Sequence, residues 1–67
     1  MNRRPLYPEI VFRLSDTSGN AAACLVKIRR LLLRGGVPIA DVDQFSREAA
    51  GDIYHVITVA QNWIQVE

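Results

Sequence analysis

The chain predicts a small α+β domain in the order β-α-α-α-β, with a two-stranded sheet packed on helices. Three observations carry this. A period-two run, EIVFRLS, precedes everything else that is regular. Three segments with helical apolar spacing follow, separated by Gly35-Gly36 and by Gly51. The β-prone run WIQVE comes last.

Residues 1–8 contain Pro5 and Pro8 and read as an extended arm, which leaves 9–67 as one domain. In EIVFRLS, Ile10, Phe12 and Leu14 alternate with Val11, Arg13 and Ser15, the pattern of a half-buried strand. SDTSGN then breaks the pattern. Ala21, Cys24, Leu25, Ile28, Leu31 and Leu32 recur at helical spacing and define the inward face of a first helix. Fourteen residues of helix span about 21 Å. Ser18 or Asn20 is placed to cap it. Arg29, Arg30 and Arg34 load its C-terminal turns, where cations suit the helix dipole, and Gly35-Gly36 offers a left-handed stop.

The stretch VPIADVDQFSREAAG predicts a second helix. Pro38 suits a first turn and Asp41 and Asp43 lie early, where carboxylates are favoured. Its apolar points are Ile39, Val42, Phe45 and Ala49. Asp52 can cap a third element, in which Ile53, Val56, Ile57, Ala60 and Ile64 fit a helical face. Val56, Ile57, Thr58 and Val59 are β-branched and pull toward strand. The three-turn period favours a helix over 53–62; the alternative is a C-terminal hairpin turning at Gln61-Asn62.

Sixty-seven residues bury only about 60% of the surface that the unfolded chain exposes, so a domain of this size usually needs a staple. The single cysteine, Cys24, excludes an intrachain disulfide, and with His55 the only histidine a Cys/His zinc site within one chain lacks ligands. No cofactor or metal is expected. No apolar run approaches the ~20 residues of a membrane span, and MNRRPLYPEI has no apolar signal-peptide core. The expectation is therefore a cytoplasmic protein without membrane contact; that the cytoplasm is a bacterial host's is implied only by the resemblance given below.

The formal charge of +1 conceals a split: residues 1–36 carry seven basic and two acidic side chains, residues 37–67 one basic and five acidic. The basic half concentrates on the first helix. Lys27, Arg30 and Arg34 share one side, Arg29 flanks them, and Arg13 can join from the strand. With Leu33, which lies outside the main apolar face, and Tyr54, an amphipathic aromatic of the kind enriched at interfaces, they form the candidate partner-binding set. A solvated helix flank is the plainer reading of these cations; an electropositive patch for an acidic protein or for nucleic acid is the functional one.

Other candidates are weaker. SDTSGN has one glycine and no adjacent lysine, so it is a cap and not a phosphate loop. Cys24 lies on the apolar face, where a thiol packs as a small hydrophobe, and a Cys24–His55 nucleophile pair lacks an evident orienting group. No enzyme is expected. A helix-turn-helix would need IYHVITVAQN to read DNA, yet that stretch holds no Lys or Arg.

The order of the motifs resembles a family of very short proteins carried by phages, plasmids and other bacterial mobile elements. The matching residues are Gly19-Asn20-Ala21, Arg29 through Gly36, Gly36-Val37-Pro38, Gly51-Asp52, His55 and Trp63 through Glu67. Ile53-Tyr54 depart from the pattern, where the family has Tyr-Asp. The resemblance implies a genetic context and the strand-helix-helix-helix-strand order. By analogy with other small mobile-element proteins, it implies binding to a host protein complex, as in anti-CRISPR-like inhibition of a bacterial defence complex. The sequence thus leads to a non-enzymatic protein-binding module, with a small nucleic-acid-binding regulator as the alternative. Self-association as a homodimer is expected as well, because two strands alone are not a stable sheet and each keeps an unpaired edge.

Overall fold

A computed structural model describes residues 5–16 and 19–67. The elements are β1 (Tyr7–Phe12), a 3₁₀ turn (Leu14–Asp16), α1 (Ala21–Arg34), α2 (Ile39–Ala49), α3 (Ile53–Trp63) and β2 (Ile64–Val66). The domain is α+β in the expected order. The two strands pair in parallel. A parallel pair needs a long crossover, and here the whole helical segment supplies it.

β1 begins earlier than the alternation predicts. Leu6 N–H already donates to Asn62 O at 3.2 Å, so the arm expected over 1–8 is domain from Leu6 onward; residues 1–4 lie outside the described residues. The pairing runs Tyr7 to Ile64, then Val11 to Gln65 and Phe12 to Val66, with a register break between Tyr7 and Val11. Pro8 falls in that break. It has no N–H to donate, and proline in a sheet is confined to edges and bulges. Leu14, expected to point inward with Ile10 and Phe12, instead starts the 3₁₀ turn and is 43% exposed. Its N–H reaches back to Glu67 O at 2.6 Å, which ties the turn to the chain beyond β2.

The helix ends follow local chemistry. Asn20 caps α1, its Oδ1 accepting from Ala23 N–H at 3.2 Å; Ser18, the other candidate, lies outside the described residues. A cap of this kind is worth about 1 kcal/mol. At the other end Gly36 has φ 83°. Gly36 N–H donates to Leu33 O and Val37 N–H to Leu32 O, at 3.1 and 3.0 Å. These two bonds are a Schellman motif, with Val37 and Leu32 supplying its apolar contact. Asp52 caps α3 through His55 N–H at 2.9 Å. α2 has no side-chain cap; Pro38 precedes it and Asp41 lies in its first turn.

The core joins all five elements. Ile10 and Phe12 from β1 and Cys24, Ile28 and Leu32 from α1 meet Val42, Phe45 and Ala49 from α2. Val56, Ala60 and Trp63 from α3, Ile64 from β2 and Val37 from the α1–α2 connection complete it. Phe45 meets Trp63 edge-on, ring centroids 5.8 Å apart, a favoured aromatic geometry. Among the described residues no buried side-chain N or O lacks a hydrogen-bond partner. Residues 53–63 are helical, so the hairpin alternative is overturned: Val56 and Ala60 bury one face of the helix, and that burial outweighs the β-branched preference. Ile39, expected inside, is 59% exposed; at the first position of α2 it precedes the turn that reaches the core.

Candidate functional site

The C-terminal half of α1 and the end of β1 enclose a groove of about 480 Å³. Its lining is half apolar (Phe12, Leu31 and Leu33) and half cationic (Lys27, Arg30 and Arg34). The periodicity of α1 dictates this mixture. Ile28 and Leu32, four positions apart, share the completely buried face, so residues one and two positions from them turn onto the flank and stand at the rim. Leu31 is half-buried there, Leu33 is 46% exposed, and the cations are exposed. Phe12 comes up from below as the floor. No carboxylate lines the groove. Arg30 and Arg34 make no ion pair among the described residues.

Of the predicted partner-binding residues, the fold brings Lys27, Arg30, Leu33 and Arg34 together. Arg29 turns the other way. Its Nη1 donates to Ser46 Oγ and lies 3.4 Å from Asp43 Oδ1, so it joins α1 to α2. Ser46 in turn donates to Val42 O at 3.0 Å. Arg13 is exposed beside Phe12 but outside the groove lining, and Tyr54 is 79% exposed on α3, also outside it. Phe12 and Leu31 were read only as inward residues; the signal that they also reach the groove is their adjacency to Arg13 and Arg30.

Cys24 is buried, and burial pushes its thiol pKa up, with the Lys27 charge opposing by less. A raised thiol is a poor nucleophile. His55 is engaged elsewhere: its Nε2 lies 2.8 Å from Glu48 O. A carbonyl can only accept, so Nε2 carries the proton and satisfies one of the carbonyls left open at the end of α2. Among the described residues no group of three or more His, Cys, Asp or Glu could hold a metal ion, and no helix is long and apolar enough to cross a membrane. Comparisons with protein-family models, curated proteins and solved structures find no match to this chain.

Proposed function

We propose that this protein is a non-enzymatic binding module that acts by occupying a partner protein's surface. The groove on α1 seats an acidic segment of that partner with an apolar side chain at its centre. One observation carries this reading: Lys27, Arg30 and Arg34 surround the exposed Leu33 over an apolar floor, with no carboxylate among them. The cations steer and orient an acidic surface, and Leu33 and Leu31 offer the desolvated contact on which interface affinity usually rests. A phosphate backbone would leave half of this lining unused, which ranks nucleic acid second. The further step, to a host defence complex of the kind anti-CRISPR proteins inhibit, rests on the sequence resemblance alone.

The test starts with capture from bacterial lysate and identification of the bound protein. The affinity of that partner is then measured for wild type, Arg30→Glu/Arg34→Glu and Leu33→Ser over a salt series. Both variants should weaken binding at least tenfold while retaining the wild-type helical signal. Unchanged affinity in both variants would refute the groove. A steep linear fall of log affinity with log salt, with Leu33→Ser silent, would instead mark phosphate binding.

A further inference from the structure

The edge of β1 that faces away from β2 carries a charge pattern complementary to itself. We propose that two copies of this chain associate there, their β1 strands pairing antiparallel about Val11 to make one continuous sheet. The order of residues along the strand carries this: exposed Glu9, Val11 and Arg13 alternate with buried Ile10 and Phe12.

The main chain is presented for such pairing. Phe12 O accepts from Glu67 N–H at 2.9 Å, and Leu14 N–H donates to Glu67 O at 2.6 Å. These residues turn their main-chain groups toward β2. Hydrogen-bonding direction alternates along a strand, so the N–H and C=O groups of Glu9, Val11 and Arg13 turn to the other edge. Among the described residues no further strand pairs with that edge. A two-fold axis at Val11 makes this residue a hydrogen-bonded pair with its own copy, the Cα atoms about 5.5 Å apart.

The side chains fix the register. With Val11 opposite the Val11 of the second copy, Glu9 of each chain stands opposite Arg13 of the other, on the exposed face of the sheet. Opposite charges directly across an antiparallel pair stabilise it and like charges destabilise it. A slip of two positions sets Glu9 or Arg13 against Val11 and loses both pairs. A slip of one turns the inward side chains to solvent. Charged residues usually guard an edge strand against pairing. Here the two guards differ in sign and stand equally far from Val11, so they repel a parallel copy in register and attract an antiparallel one. The other places for a second copy are poorer. β2 offers only three residues, Ile64–Val66. On α1, exposed Arg30 stands between Val26 and Leu33, and a two-fold there would bring it against itself. The inference does not rest on the groove on α1.

Sedimentation equilibrium from micromolar to submillimolar concentration, at low ionic strength where exposed charges are least screened, tests the pairing. The wild type should reach twice the chain mass. Glu9→Arg and Arg13→Glu each turn both attractive pairs into repulsive ones and should raise the dimer dissociation constant about tenfold or more. Both positions are exposed, so the helical signal should persist in each variant. An equimolar mixture of the two single variants should associate as tightly as the wild type, because each chain then meets its complement. The double variant Glu9→Arg/Arg13→Glu should do the same. Val26→Glu, on α1, should leave the dimer intact. A wild-type monomer over this range, single variants that dimerise like the wild type, a mixture that does not recover association, or a dimer broken by Val26→Glu would overturn the proposal.

Discussion

Gly35, at the C-terminal cap of α1, stands directly against Ile10 of β1, and replacing it with alanine tests the packing. Its backbone, at φ −77° and ψ 0°, is open to any residue. By that criterion Gly35→Ala should stabilise by about 0.4–1 kcal/mol, through the unfolded chain's lost freedom. The space is the difficulty: a Cβ there would stand 2.5 Å from Ile10 Cδ1 and 3.0 Å from Ile10 Cγ1. Ile10 is 7% exposed in the core and can yield only by leaving its rotamer or shifting the strand. Overpacking of this kind costs about 1–3 kcal/mol, so the net loss should be about 1–2 kcal/mol. For a domain of this size that lowers Tm by roughly 4–8 °C per kcal/mol. Ile10→Val removes the Cδ1 methyl at its own cost of about 0.5–1.5 kcal/mol. In that background Gly35→Ala should become nearly neutral. Gly36→Ala is the control: nothing lies within 4 Å, but φ is 83°, so it should cost about 1–2 kcal/mol in either background. Urea denaturation of the six proteins yields the coupling. Equal cost of Gly35→Ala with and without Ile10→Val would refute the contact.

Two further outcomes follow from the fold. Burial, then the Asp41 charge and hydrogen bond, then Glu9, raise the Tyr7 phenol above 10.0. The folded state therefore holds that proton more tightly than the unfolded state. Its contribution is complete below pH 10.0 and lost as pH climbs through the raised value. Tyr7→Phe should flatten that part of the alkaline stability curve, measured by urea denaturation, and parallel curves would count against the effect. A homodimer is expected from the two free strand edges and from exposed Val26 and Leu33 on one side of α1. Sedimentation equilibrium at micromolar concentration should give twice the chain mass. Val26→Glu should halve it if the helix side is the interface, and a monomer in the wild type would refute self-association.

Much of the fold was legible because its signals are local. Asn20, the Gly35-Gly36 stop and Asp52 mark helix ends within a few residues, and the α1 periodicity extends over four turns. Leu14 and Ile39 misled because periodicity names a face without saying where the element stops: one sits in the turn beyond β1, the other ahead of the first inward turn of α2. The cationic half of the groove could be read from one helix, but its floor came from β1, 15 residues before the first cation of the rim. Arg29 belongs to the same basic run of α1, and nothing in that helix tells that Asp43 and Ser46 draw it away.

The parallel pairing of β1 with β2 has a consequence for synthesis. Tyr7 pairs with Ile64, so 57 positions of chain must close before the sheet exists, a loop term of about 3.6 kcal/mol before any constant. A ribosome delivers Ile10 and Phe12 ahead of every other core residue and their strand partner after all of them. The three helices can meet one another while translation continues, but the first strand must wait on them with both edges unpaired. Completion is a single late event that depends on the three residues of β2. A nascent chain halted at Ala60 would present helices ready to pack and a strand without its neighbour, the species most exposed to pairing with another chain.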